Sequence, residues 1–99
     1  MVNKQEYILC AAIWYKDGLT HGWLFPLNIF DGYIICGFRH SDCIRLHTVL
    51  TCKITKSDDI QGFLTSQNRF VDRAEAADIA YKAGQIKDIT DCLLSEDLY

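Results

Sequence analysis

The stretch GFLTSQNRFVDRAEAADIAYKAGQ, residues 62–85, leaves this chain little choice of local structure. Phe63 to Thr65 and Arg69 to Val71 are short β-prone runs around Ser66-Gln67-Asn68, a turn in which Asn68 tolerates a positive φ. Asp72 then stands where a helix N-cap belongs, and Glu75, three residues on, has the spacing of its capping-box partner. Ala76, Ile79, Ala80 and Ala83 recur at the helical period and define an inner face, with Gly84 as the C′ stop. Such small side chains predict a close approach of this helix to a sheet or to another helix. A hairpin that runs straight into a capped helix belongs to a fold in which sheet and helix share one core.

The rest of the chain supplies the partners. EYILCAAIWYKDG (6–18) is rich in β-branched and aromatic residues, ends at the turn signal Asp17-Gly18, and reads as a buried strand. LTHGWLFPLNIFDG (19–32) is apolar but broken by Gly22 and Pro26, which suits an edge strand or an ordered loop. GYIICGF (32–38) is a second strand. In RHSDCIRLHTVLTC (39–52) the period changes: Cys43, Leu46, His47 and Leu50 share a helical face with Ile44 beside them, and Ser41 or Asp42 is placed to cap the start. In the tail, Leu93, Leu94, Leu98 and Tyr99 are apolar anchors for docking. The expectation is a single α+β domain over residues 1–99: a small antiparallel sheet containing a hairpin, with two main helices packed on it.

Composition narrows the function. The 99 residues are 49% hydrophobic, enough for one core, and carry a net charge of −3. A polymeric nucleic acid normally selects a basic excess, so an anion site here is local, a few arginines suited to a small ligand. The apolar run around YILCAAIWY is far short of the roughly 20 residues of a membrane span, and MVNKQEY lacks the apolar stretch of a signal peptide. Five cysteines, odd in number and mostly in apolar surroundings, read as free thiols of a reducing cytoplasm.

Two constellations carry chemistry. Cys36, His40, Cys43 and His47 form C-x3-H-x2-C-x3-H, residue types that bind zinc. Cys36 lies inside an apolar strand, however, and no second knuckle accompanies it, so buried thiols and ordinary histidines are the better reading. The arginines are more informative. Arg39 precedes one helix, while Arg69 and Arg73 bracket the start of the other. Helix N-termini already favour anions, and guanidinium forks bind phosphate in bidentate fashion. The plainer alternative is surface ion pairing with Asp42, Asp72 or Glu75. Rings such as Phe63, Phe70, Trp23 and Tyr81 are candidates for stacking a base, though most belong to the core.

The Arg39-His40 pair, the pattern G-F-x-T-x-x-x-R-F-V-D-R-x-E-A and the closing S-E-D-L-Y cover most of residues 38–99. Together they resemble a family of small proteins encoded by bacteriophages and prophages, and the family most similar in size and plan is that of the anti-Thoeris sponges. That resemblance implies a non-enzymatic protein of the host bacterial cytoplasm, without cofactors, that sequesters a nucleotide signal of bacterial immunity. The signal would be a cyclic ADP-ribose isomer, with cyclic oligonucleotides also in range, and the protein a homo-oligomer, a dimer or higher. Carried over, the ligand-binding residues are Arg39, His40, Asn68, Arg69, Phe70, Asp72 and Arg73. The 19–32 insert departs from the shorter members. The rival readings are a small phosphodiesterase-like enzyme that degrades the signal and a direct inhibitor of a host protein anchored by Trp23 and Phe25.

The zinc question has a simple check. Metal analysis of a chelator-free preparation should return well under one zinc per chain, and near-stoichiometric zinc would overturn the reading of Cys36, His40, Cys43 and His47.

Overall fold

The computed structural model describes residues 5–17, 26–56 and 58–98. Among them the elements run β1 (Ile8–Tyr15), β2 (Tyr33–Gly37), α1 (His40–Thr51), β3 (Ile60–Thr65), β4 (Phe70–Asp72), α2 (Arg73–Lys82) and α3 (Ser95–Leu98). The strands form one antiparallel sheet in the order β2-β1-β3-β4, with helices packed on it, the α+β arrangement that the periodicities predict.

β1 is an interior strand of the sheet, and its middle is buried on both faces: Ala11, Ala12 and Ile13 expose nothing. Ala12 lies opposite Cys36 of β2 on one side and Gly62 of β3 on the other. On the helix face Ile8, Ala11, Ile13, Tyr15, Phe63 and Val71 pack with Cys43 of α1, with Ala76, Ala77, Ile79 and Ala80 of α2, and with Leu93. Complete burial of a ring such as Phe63 contributes about 1.5–3 kcal/mol. The alanines let α2 settle close to the sheet, as their spacing predicts.

The N-cap of α2 is as expected, but the capping box is half made: among the described residues no bond returns from the Asp72 amide to the Glu75 carboxylate. Asp72 is its N-cap and accepts from the Glu75 amide at 2.8 Å. The Glu75 carboxylate is drawn to Arg69 Nη1, 3.1 Å away. Asn68 and Gly84 take the left-handed backbone assigned to them, with φ of 58° and 75°. α1 departs from expectation. Its N-cap is Arg39, and Asp42, expected at the cap, sits at the third helical position and accepts from the Arg39 amide at 3.1 Å. Its buried residues are His40, Cys43 and His47, whereas Leu46 and Leu50 face solvent at 42% and 64% exposure. Both faces of α1 carry apolar residues, so periodicity alone does not select one. The histidines win because each finds a partner for a ring nitrogen inside, which removes most of the cost of burying them.

The tail docks through Leu93 and Leu98, the latter half-buried against the helix-face core. Leu93 is fully buried and its amide donates to the Arg73 carbonyl at 3.0 Å, while Leu94 is 45% exposed. Tyr99 lies outside the described residues, as do residues 18–25 with Trp23 and Phe25.

The second sheet face carries Ala12, Trp14, Ile34, Cys36, Ile60, Leu64 and Phe70, with Ile29 packed on them. Residues 26–31 are the ordered loop, not an edge strand, and they span this face. Trp14 Nε1 donates to the Asp31 carbonyl at 2.9 Å, and the Leu27 amide donates to the Asn68 carbonyl at 2.7 Å. Asn28 behaves as one residue of an extra strand: its Nδ2 donates to the Phe70 carbonyl at 2.6 Å and its Oδ1 accepts from the Phe70 amide at 2.8 Å. No helix among the described residues is long and apolar enough to cross a membrane.

Gly62 is required where β3 passes under Phe70, because a Cβ there would collide with the Val71 carbonyl and the Phe70 ring. Gly62→Ala should therefore destabilise the protein by about 1–3 kcal/mol, the usual cost of overpacking. Asn28→Ala should cost about 1–3 kcal/mol by stranding both Phe70 backbone groups. Denaturant titrations of both variants measure these losses, and wild-type midpoints would contradict the packing described.

Candidate functional site

The residues singled out from sequence fall into two groups. At the hairpin, Arg69 is clamped by carboxylates: its Nε and Nη2 meet the two oxygens of Glu6 at 2.9 and 2.8 Å, and Nη1 meets Glu75. Thr65 Oγ1 also donates to Glu6, at 2.5 Å. The Arg69 hydrogen bond holds the Glu6 carboxyl below its ordinary pKa, against desolvation, and Glu6 in turn raises that of Arg69. Asn68 shapes the turn beside this cluster and Asp72 caps α2. Phe70 is buried on the second sheet face, edge-on to Trp14 with ring centroids 6.1 Å apart.

His40 and Arg73 form the second group, on the helix face. His40 Nε2 donates to the Gly62 carbonyl at 2.7 Å, and its ring meets Phe63 edge-on. Arg73 Nη1 donates to the Leu93 carbonyl at 2.8 Å and Nη2 to Gln61 Oε1 at 2.6 Å. Arg39 lies with its guanidinium over the Phe38 ring, 5.2 Å from the centroid. Arg69 and Arg73 thus flank one helix start but turn to different partners, one joining the N-terminal segment to the hairpin, the other holding the tail. For the four zinc-type residues, Cys36 belongs to the second-face cluster and Cys43 to the helix-face core, while His40 and His47 spend Nε2 on Gly62 and Tyr33. Cys10 is pulled down to about 7 by a thiol hydrogen bond with Cys36, and burial pushes Cys43 up to about 12.

A different set of residues meets where β1 ends and β2 begins. Tyr15 and Tyr33 are directly opposite in register and stack with centroids 5.5 Å apart. His47, on the inner face of α1, lies flat on Tyr15 at 3.6 Å, with 6° between the planes. Tyr33 Oη and His47 Nε2 are 2.7 Å apart, and Tyr15 Oη and Thr55 Oγ1 are 2.5 Å apart. Burial is the main cause that lowers the His47 pKa, with Lys53 adding to it and Asp59 opposing. Burial likewise raises both tyrosines. At neutral pH His47 is uncharged, so its Nε2 accepts from Tyr33 when Nδ1 carries the proton. Buried Nδ1 has no partner in hydrogen-bonding geometry among the described residues.

These rings line a cavity of about 660 Å³, within the range of small-molecule sites. Lys16, Lys53 and Lys56 stand around it, as do Asp17, Asp58 and Asp59. Flat rings beside mobile ammoniums suit a ligand that joins an aromatic system to an anionic group. Sequence reasoning placed Tyr15 and Tyr33 in strands and His47 on a helix face, but their meeting depends on strand register. The local signal for this place is the Lys/Asp-rich connection after α1, KITKSDD at residues 53–59.

Both histidines with resolved shifts are lowered chiefly by burial. The unfolded chain therefore binds their protons at higher pH than the folded one. Their contribution to stability is intact above the unfolded value of about 6.5 and is lost as pH falls through it towards the folded pKa values. The melting temperature should fall between pH 7.5 and pH 5.5, and the fall should shrink in His47→Gln. An equal fall in that variant would remove His47 from the account.

The family model described as Phage T4 y16D protein matches residues 7–99. No curated protein and no solved structure matches the chain.

Proposed function

The chain belongs to the phage T4 y16D protein family, and we propose that it captures a small nucleotide signal in the host cytoplasm and holds it without cleaving it. The observation that carries this reading is the Tyr15–His47–Tyr33 stack, which borders a cavity of about 660 Å³ with three lysines around it. A cyclic ADP-ribose isomer, or a cyclic oligonucleotide, has both complements: a base for the rings and phosphates for the ammoniums. Capture demands only that the ground state be bound well, and it needs no preference for a transition state. A phage gains from such a protein when the signal is what activates a host defence.

The arginine group remains part of the test. Arg69 keeps a third of its side chain exposed, but its fork is filled by Glu6 and Glu75, so a phosphate there competes with two carboxylates. The cavity needs no such exchange, although its own aspartates offset part of the lysine charge.

Calorimetric titration with cyclic ADP-ribose isomers and cyclic dinucleotides tests capture. Heat denaturation of the complex should then release the ligand intact, whereas a phosphodiesterase returns products. Lys56 is exposed, so Lys56→Glu should preserve the fold and weaken binding about tenfold or more, the effect of some 1.4 kcal/mol at a charge-assisted contact. Binding that survives Lys56→Glu but disappears in Arg69→Ala with its fold retained would place the ligand at the hairpin instead. No heat with any of these ligands would count against the proposal.

A further inference from the structure

Two cysteines from different strands meet on the second sheet face. Cys10 pairs with Leu64 of β3, and Cys36 lies opposite Ala12 of β1. Leu64, Ala12 and Cys36 all belong to that face, so the alternation of side chains along β1 puts Cys10 there as well. The two thiols are therefore diagonal neighbours across β1 and β2, beside the small Ala12. Their sulfurs meet in a hydrogen bond, and the Gly37 amide also donates to Cys10. Both cysteines are partly accessible.

The local backbone gives Cys10 unusual freedom. The β1–β2 register ends at Ala11–Gly37, one residue short of it. On its other side the register with β3 shifts between Ile8 and Cys10, a bulge at Leu9. Bulges re-aim side chains and recur beside reactive groups. Leu9 is 46% and Phe38 58% exposed, so this end of the ladder is open to solvent. The Cys36 thiol and the Gly37 amide stabilise the Cys10 thiolate and hold its pKa below that of an ordinary thiol. Cys36 and the buried Cys43 are the titratable groups that feel its charge, and both are raised. Cys10 is thus the nucleophile of the pair at neutral pH, and Cys36 keeps its proton and donates it.

We propose that Cys10 is a site of reversible S-thiolation, at which its sulfur attacks a low-molecular-weight disulfide and retains one half of it. The exchange balances without a further oxidant. The Cys10 thiolate bonds to one sulfur of the small disulfide, the old sulfur–sulfur bond breaks, and its electron pair leaves on the displaced thiolate. An excess of the free small thiol reverses the step. The diagonal placement decides the product. Diagonal neighbours lie about 7–8 Å apart, near enough for a thiol to donate, whereas a disulfide spans roughly 4.4–6.8 Å between Cα atoms. Cys36 therefore does not close on Cys10, and the mixed disulfide persists.

Oxidised glutathione is the probe for the wild-type chain, with the adduct at each cysteine followed over time by peptide mass mapping. Cys10 should be thiolated ahead of Cys52 and Cys92, although both of those are more exposed. Accessibility alone gives the reverse order. Cys36→Ala removes the sulfur donor and should return Cys10 towards the ordinary value of about 8.5. The Cys10 rate should then fall about fivefold at about pH 6, where the lost thiolate fraction outweighs the gain in nucleophilicity, and exceed the wild-type rate at about pH 9. Cys36→Ser, whose hydroxyl still donates, should keep most of the wild-type profile. A purely structural role for Cys36 would shift the rate in the same direction at both pH values. Faster reaction of Cys52 or Cys92, an internal Cys10–Cys36 disulfide as the main product, or an unchanged pH profile in Cys36→Ala would each overturn the assignment.

Discussion

An interior strand buried on both faces sets the problem that the rest of this fold solves. With Ala11, Ala12 and Ile13 wholly hidden, β1 needs a layer above and a layer below. Two layers around one core is the common solution for a small domain, but a short chain has limited helix to spend on it. α1 and α2 cover one face. The other is met by the loop at residues 26–31, which packs Ile29 onto Ala12 and Phe70. Alanine at positions 11 and 12 matters here, because a larger side chain on either face would lift its layer off the strand.

Polar clamps add to the core in holding the outlying segments of the described chain in place. Gln85 binds Ile8 through both ends of its carboxamide, accepting from the amide at 2.7 Å and donating to the carbonyl at 2.8 Å. Asn28 treats Phe70 in the same way. Each side chain imitates a strand neighbour at one residue, satisfying backbone groups that would otherwise lack partners. Arg69 and Arg73 extend the scheme to the segments before β1 and after α2. A guanidinium offers several donors in a fixed plane, which suits a junction where several segments meet.

What could be read in the sequence was whatever depends on neighbours in the chain. Asn68 at positive φ, Asp72 as a cap, Gly84 as a stop and the alanine face of α2 all follow from windows of a few residues, and all are found. α1 shows the limit of that reasoning. Its buried face was decided by Gly62 and Tyr33, which accept or supply hydrogen bonds to His40 and His47 from outside any local window. The arginines illustrate the same limit. Glu6 is 63 residues from Arg69, and Leu93 is 20 from Arg73. The Tyr15–His47–Tyr33 cavity needs both the strand register and the helix rotation to be known before its members can be seen together.

The carboxamide of Asn28 also has a meaning for the behaviour of many copies at once. In polymer terms, a sheet with two open borders is bifunctional: each added unit presents a fresh site, and growth continues into a fibre. A sheet with one border spent is monofunctional, and its edge-to-edge growth terminates after a single step. By occupying the Phe70 backbone, Asn28 acts as a chain terminator built into the monomer. One planar amide thereby withdraws the β4 border from edge-to-edge growth.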